Sequence, residues 1–321
     1  VEKMPVDPES YEGSAFILTR NTVEALQLIA AEVRKSFTSP VIAVTGSAGK
    51  TVVKEWLADI LGLSVPVLRS PKSFNSQIGV PLSVLRLEEK YKMGIFEAGI
   101  SKANEMGKLR DVINPDIGII TNIGDAHSEN FPDQAAKARE KLKLFINASL
   151  IVYCSDHDLI HKLITEDPYL QQKMLIDWSL HNKDAIVYTE IKNQSEGNTS
   201  VEVSFRDKSF EFLIPFDDRA SVENAITVLT VCLALQTDVE TIRKGLAGLV
   251  SVAMRMEMKS GINGCRLIED YYNSDPGSLG MAIEYLKTRK NHKATVILSD
   301  FIQTGREGRE LYGEVADLIR R

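Results

Sequence analysis

Cysteine is scarce in this chain of 321 residues: Cys154, Cys232 and Cys265 are few and odd in number, which excludes a disulfide framework. Each lies in an apolar or strand-like setting, so buried free thiols in a reducing compartment are expected. Long apolar runs are also lacking. No stretch approaches the ~18 residues of a membrane helix and none reads as a signal peptide, so a cytoplasmic protein with no membrane partner is expected. A basic excess is missing too. Lys and Arg total 38 against 44 Asp and Glu, a net charge of −6, which argues against nucleic acid as a partner. A local cationic site can still outweigh that global charge for a small anionic ligand. Internal repeats, heptads and low-complexity tracts are absent. The remainder, 44% hydrophobic and 26% charged, is an ordinary globular composition. Its length suits about two domains of ~100–200 residues each.

The most informative stretch is 44-VTGSAGKT-51. The apolar run 41-VIAV-44 leads into a loop of small residues, and a helix is expected over 52-VVKEWLADILG-62. Strand, glycine loop and helix in this order hold nucleotide phosphates. Gly46 and Gly49 let backbone N–H groups approach phosphate oxygens, and the helix N-terminus adds a partial positive charge. Lys50 reaches the outer phosphates and the Thr51 hydroxyl can ligate magnesium. The full motif has a further glycine where this chain has Val44, so the loop is a shortened G-x-x-G-K-T form. A plain glycine turn is the bland alternative, but the strand and helix flanks that the motif requires are both present.

Around this loop the pattern alternates. Residues 1–13 read as a polar tail, and 22–37 as a helix with Thr22 at its N-cap. Strands are expected at 41–45, 65–68, 92–98, 117–121 and 150–154, and helices at 50–62, 80–88, 103–113, 133–147 and 157–166. Such alternation predicts a parallel sheet covered on both faces, with ligands at the carboxyl ends of its strands. Antiparallel strands are expected at 185–191, 199–205 and 209–215 around a turn at 192–198, then helices at 219–236 and 238–248. A second strand–helix alternation follows, with strands at 265–270 and 293–300 and helices at 277–289 and 307–320. The fold class is therefore α/β: a central parallel-sheet, P-loop ATPase-like domain with a small antiparallel region, and the start of a C-terminal Rossmann-like domain. The expected divisions are 1–38 (linker), 39–250 (ATP-binding) and 251–321 (a partial second domain). The chain begins at Val1 rather than Met and ends at 320-RR-321 directly after a helix, which predicts a piece of a longer protein.

Four residues at or near the expected binding edge carry chemistry. Glu97 follows a buried strand, and alone it reads as an exposed loop acid. His127 lies in the loop 121-TNIGDAHSENF-131, and a lone loop histidine is more often no ligand than one. Lys141 sits among Lys137, Arg139 and Lys143, which reads as the charged face of an amphipathic helix. Arg255 by default is a surface cation. Together they fit one task. Magnesium takes oxygen ligands, which Thr51 and Glu97 can supply, while a histidine and a further anionic oxygen could hold a second ion. Metal ions and a lysine would then offset charge on a transferring phosphoryl group.

The chain resembles the Mur ligases, the ATP-dependent amide-bond formers of peptidoglycan synthesis. The resemblance rests on 44-VTGSAGKT-51, 74-FNSQIGVPLSVLRL-87, 96-FEAGIS-101, 119-IITNIGDAH-127, 141-KLKLF-145, 222-VENAITVL-229, 254-MRME-257, 269-EDYYNSDPGS-278 and 298-LSDFIQTG-305, in the family's order. It implies that Gly46, Ser47, Ala48, Gly49, Lys50 and Thr51 cradle ATP, and that Asn224 contacts adenine. Arg255 would reach the phosphates and Asp270 the ribose from the next domain, which implies domain closure. Thr51, Glu97, His127 and Lys141 would serve two Mg2+ ions, Lys141 after carbamylation by carbon dioxide, with Lys137 as a competitor for that role. The wording is most similar to the branch that joins D-alanyl-D-alanine to UDP-N-acetylmuramoyl tripeptide, in the Bacteroidetes form often fused to an alanine racemase. Two departures stand out. The family's N-terminal UDP-binding domain is nearly absent, with residues 1–38 resembling its tail, and Asp275 stands where the branch has Asn. The alternatives are another amide ligase of the superfamily, such as folylpolyglutamate synthase, or an ATP-binding fragment without ligase activity. A P-loop switch would need a guanine-reading Asn-Lys-x-Asp run, and this chain has none.

Overall fold

The computed structural model describes residues 1–124, 128–253, 255–271, 276–288, 294–301 and 306–320. Helix α1 (Thr22–Ser36) leads to β1 (Val41–Thr45), α2 (Lys50–Leu61), β2 (Val67–Arg69), α3 (Gly79–Val84) and β3 (Met93–Glu97). The alternation continues through α4 (Met106–Ile113), β4 (Ile117–Ile120), α5 (Gln134–Leu142), β5 (Leu150–Cys154), α6 (Asp158–Glu166) and β6 (Met174–Ser179). Strands β7 (Val187–Ser195), β8 (Asn198–Phe205) and β9 (Lys208–Ile214) precede helices α7 (Arg219–Ala234) and α8 (Val239–Ala247). The chain then forms β10 (Glu257–Ser260), β11 (Arg266–Glu269), α9 (Pro276–Thr288) and α10 (Gly308–Arg320).

Nine strands make one sheet, in the order β2-β3-β1-β4-β5-β6-β7-β8-β9. Pairings from β2 through to β7 are parallel, and β8 runs antiparallel to both β7 and β9. The chain turns to one side of β1 for β2 and β3, then to the other side for β4 onward, so β1 lies at the point where strand order reverses. Crevices at such points, outside the carboxyl ends of strands, are where open α/β sheets bind ligands.

Side chains alternate across the sheet, and the two cores show it. On β1, Ile42 and Val44 join the core beneath α2, α7 and α8, while Val41 and Ala43 face the core of α1, α3, α4 and α6. On β5, Val152 and Cys154 face the first core, and Ile151 and Tyr153 the second. Strands apolar on both faces are what a doubly covered parallel sheet requires. Four helices start on side-chain caps: Asn21 on α1, Asp133 on α5, Asp218 on α7 and Asp238 on α8 each accept a backbone N–H from the first turn. Helices α2, α3, α4 and α6 have none, and the N-cap of α2 is Gly49, at φ 79°.

Five expectations change. The N-cap of α1 is Asn21, whose Oδ1 accepts from Glu24 N–H at 3.0 Å, because it holds the extended backbone that Thr22 gives up on entering the helix. Strand β6 was not expected, since Asp177 interrupts its short apolar run. It is the piece that joins the antiparallel strands to the parallel sheet. The turn expected over 192–198 shrinks to Glu196 and Gly197, with the strands pairing up to Ser195 and Asn198. Cys154 and Cys232 are buried free thiols, but Cys265 is exposed, because the two-stranded β10–β11 hairpin has too few neighbours to cover it. Residues 294–300 form no strand. An extended segment needs a neighbour for its backbone polar groups, and among the described residues no ladder includes it. Ile297 there is 92% exposed.

Gly118 lets β4 approach the helical layer. A Cβ there would lie 2.2 Å from the Phe145 ring. Gly118→Ala is expected to destabilise the protein by about 1–3 kcal/mol through overpacking, read as a lower urea midpoint at unchanged slope.

Candidate active site

The loop between β1 and α2 is held from its neighbour, β4. Ser47 N–H donates to the Asn122 carbonyl at 2.8 Å, and Ala48 N–H to Asn122 Oδ1 at 2.9 Å. Thr121 Oγ1 donates to the Ala48 carbonyl at 2.5 Å. Gly46 sits at φ 142°, and a Cβ on it would meet Thr121 Oγ1 at 1.9 Å. At Gly49 a Cβ would meet Asn224 Oδ1 at 2.4 Å. Thus Asn224, from α7, packs on the loop's second glycine. The first-turn N–H groups of a helix have no intrahelical partner, and α2 carries no capping side chain to take them. Lys50 folds back so that Nζ donates to the Ser47 carbonyl at 2.9 Å. This arrangement suits a polyphosphate: backbone donors, a helix N-terminus and a lysine at one bend.

Glu97 stands beside it, by register. Parallel pairing sets Val44 opposite Glu97, so the last residue of β3 reaches the loop's first turn. It is not an exposed loop acid but fully buried, because the segment after β2 folds over it. Its Oε2 accepts from Thr51 Oγ1 at 2.8 Å, and its Oε1 from Asn75 Nδ2 at 2.7 Å. Thr51 Oγ1 also lies 3.2 Å from Ser73 Oγ. A carboxylate and a hydroxyl meeting in this way are the oxygen pair a hard divalent cation takes.

Cations converge from the other side. Lys141 is not on a solvated face; it is buried, and Nζ donates to the Gly46 carbonyl at 2.9 Å. Burial, reinforced by the neighbouring Lys50 and Lys137 charges, pushes its pKa well below the ordinary lysine value, with Glu97 opposing the shift. An amine so placed spends more of its time neutral, and the neutral form is nucleophilic. Lys137 is buried as well, but it turns away to the Gly124 carbonyl and to Ser128 Oγ at 3.1 Å. A cavity of about 340 Å³ is lined by Gly46, Ser47, Lys50, Glu97, Lys141 and Arg255, with Asn75, Gln77 and Glu105 among its other walls. Asp270 is not in that lining; its Oδ1 accepts from Met256 N–H at 3.3 Å, next to Arg255 in sequence. His127 lies outside the described residues. Among those described, no group of three His, Cys, Asp or Glu is placed to hold a metal ion. Glu97 and Thr51 give two oxygens, and Lys141 would give another only as a carbamate.

Sequence reasoning missed Asn75, Ser73, Thr121 and Asn122. Asn75, Thr121 and Asn122 fall inside quoted motifs, 74-FNSQIGVP-81 and 119-IITNIGDAH-127, and that was the signal available.

A family model of the Mur ligase middle domain matches residues 44–232. The chain belongs to the Mur ligase family. Among its relatives is the UDP-N-acetylmuramoyl-tripeptide–D-alanyl-D-alanine ligase of Bacillus subtilis, 29% identical over 303 residues, covering 93% of this chain and 64% of that one. This Mur ligase chain therefore spans just under two thirds of that relative's length. In fold it is similar to MurF from Acinetobacter baumannii, with a TM-score of 0.86 at 24% identity over 99% of this chain and 67% of that one. A folylpolyglutamate synthase of Thermotoga maritima is a more distant fold neighbour, with a TM-score of 0.62 at 14% identity, covering 83% of this chain and 70% of the other. Among the described residues, no helix is long and apolar enough to cross a membrane.

Gly46→Ala is expected to weaken ADP binding about tenfold or more, since the positive φ alone stores about 1–3 kcal/mol for a non-glycine residue and the Thr121 hydroxyl leaves no space. Calorimetric titration with ADP checks this, with Gly107→Ala as a control where a Cβ meets nothing within 4 Å.

Proposed function

We propose that this chain is the ATP-binding core of an amide ligase that joins D-alanyl-D-alanine to UDP-N-acetylmuramoyl tripeptide. The observation that carries the reading is the convergence, on one cavity, of the phosphate loop, the buried Glu97 that Thr51 donates to, and the buried amine of Lys141. The names of relatives sharing 26–31% identity over most of this chain support the substrates. Folylpolyglutamate synthase, the other ligase considered, is the more distant likeness. Both substrates belong to the cytoplasm. A fused alanine racemase would put production of D-alanine, from which the acceptor dipeptide is made, on the same polypeptide.

The residues divide the work. In this reading the α2 N-terminus and Lys50 hold the β- and γ-phosphates, so that the γ-phosphoryl group faces the cavity. The tripeptide carboxylate attacks phosphorus, and ADP leaves. The resulting acyl phosphate is attacked at carbon by the dipeptide amine, which loses a proton as phosphate departs. Lys50 and Arg255 offset the charge that builds up on the phosphoryl oxygens. The protein positions and neutralises; no covalent bond forms between it and a substrate. Magnesium, when bound, would supply further neutralisation, with Thr51, Glu97, His127 and the Lys141 carbamate as its holders. Carbamylation needs a neutral amine to attack carbon dioxide and release one proton, and burial beside two other lysines favours that amine. Arg255 and Asp270, both beyond the α8 helix, would close on the nucleotide as substrates enter.

Two measurements test this. Phosphate release should require tripeptide and D-alanyl-D-alanine together; release indifferent to both would end the assignment. In buffer stripped of carbon dioxide, activity should fall about 10–100-fold and return with bicarbonate, the range typical of losing a group that tunes a metal site. Lys141→Met should start at the low level and ignore bicarbonate.

A further inference from the structure

Lys54 is a fully buried lysine that none of the steps above uses. It lies one turn into α2 beyond Thr51 and is not among the residues that line the cavity. Its ammonium donates to the Ser70 carbonyl at 2.8 Å and to the Lys72 carbonyl, and it pairs with Glu55 at 2.8 Å. Glu55 is anchored in turn by Arg69, the last residue of β2, at 2.9 Å. An ammonium wholly removed from water is costly unless each of its protons is taken, and here two are taken by carbonyls of one short loop.

That loop covers the Thr51–Glu97 pair. Ser70 Oγ accepts the Glu97 N–H at 3.4 Å, Ser73 Oγ touches Thr51 Oγ1, and Asn75 Nδ2 donates to Glu97 Oε1. The Asn75 carbonyl accepts from Gly99 N–H at 2.9 Å, which ties the loop to the segment after β3. The loop does not hold its shape from local preference. Lys72 has φ 48°, the left-handed region that costs a residue with a Cβ. The Ser70 carbonyl and Lys72's own carbonyl, both pinned by one buried cation, are a sufficient reason for the conformation to persist.

We propose that Lys54 is a positioning residue for the divalent-cation end of the site: it latches the 70–75 loop to the nucleotide helix and so fixes the Thr51 and Glu97 oxygens. The inference rests on reading those oxygens as cation ligands beside a nucleotide. Lys54 would act through the loop and touch neither nucleotide nor metal. Its loss should therefore leave metal-free nucleotide binding intact and remove the benefit of magnesium.

The test is ADP affinity by calorimetry with and without Mg2+, together with amide hydrogen exchange over residues 70–76, in the wild type, Lys54→Met and Lys54→Arg. In Lys54→Met the gain in ADP affinity given by Mg2+ should fall about 10–100-fold, as for other residues that orient metal ligands. Metal-free ADP affinity should stay within about twofold, well below the tenfold that 1.4 kcal/mol represents. Exchange in 70–76 should accelerate. Lys54→Arg, which keeps the charge and donors, should recover part of both effects. Faster loop exchange with an undiminished Mg2+ effect overturns the proposal, and so does unchanged exchange. If Lys54→Met fails to fold, Lys54→Arg decides alone: its loop exchange and its Mg2+ effect must shift together, and either moving without the other overturns the latch. A wild-type protein that binds ADP with no gain from Mg2+ overturns the reading of Thr51 and Glu97 as cation ligands, and the proposal with it.

Discussion

The hydrogen bond from the Thr51 hydroxyl to the Glu97 carboxylate, 2.8 Å long and out of water, is the contact on which the rest of the site turns. It exists only if three independent pieces agree. Parallel register must bring the end of β3 level with the end of β1. The glycine bend must start α2 one residue before Thr51. The loop after β2 must fold over the carboxylate to bury it. Thr51 and Asn75 each donate to one oxygen of the buried carboxylate, and the geometry keeps both oxygens near the phosphate loop.

The lysines around the pair show a common solution to a common problem. Lys54, Lys137 and Lys141 are all buried, and all three place Nζ on backbone carbonyls. The carbonyls belong to Ser70 and Gly46, the first residues after β2 and β1, and to Gly124, farther along the loop after β4. Carbonyls at strand ends have no ladder partner, so the cations satisfy them and are satisfied in return. This brings positive charge to the carboxyl edge of the sheet in a chain whose net charge is −6. Lys141 is set apart by burial first and then by the Lys50 and Lys137 charges, which outweigh the opposing Glu97 carboxylate, so its own charge is the one that yields.

How much of this is legible in the sequence depends on whether a residue acts through its type or through its place. The phosphate loop is legible, because Gly46, Gly49, Lys50 and Thr51 are needed for what they are. The parallel sheet is legible from apolar runs that alternate with helices, and Glu97 from its position after one. Burial is not legible: the loop that hides Glu97 is polar, and nothing in 70-SPKSFNS-76 reports that it folds back over a strand end. Nor is the choice between Lys137 and Lys141 settled by composition, since both fall on the inner face of α5 and differ only in which carbonyl they meet. Asn122 escapes notice because it works through its own backbone carbonyl as well as its side chain. Strand β6 escapes because Asp177 breaks its pattern; that aspartate accepts from Ser155 Oγ and Ile186 N–H and so closes the loops on either side. The expected strand at 293–300 fails for the opposite reason. Its pattern is right, but pattern alone supplies no neighbour.

The shortened phosphate loop is workable for a reason the motif does not contain. A longer loop wraps its own backbone around the phosphates. Here the loop is two residues of small side chain between two glycines, and Asn122 takes the N–H groups of Ser47 and Ala48. In this arrangement the bend is braced by β4 rather than by its own length, and Gly46 is glycine because Thr121 occupies the space of a side chain. The donors that remain oriented toward a phosphate are those of the α2 first turn, supplemented by Lys50. Binding then depends more on point cations, and a fully active site must gather them from elsewhere in the chain. Lys141 arrives from α5 and Arg255 from beyond α8, both in the wall of the same cavity. A brief loop thus entails a site distributed over distant segments.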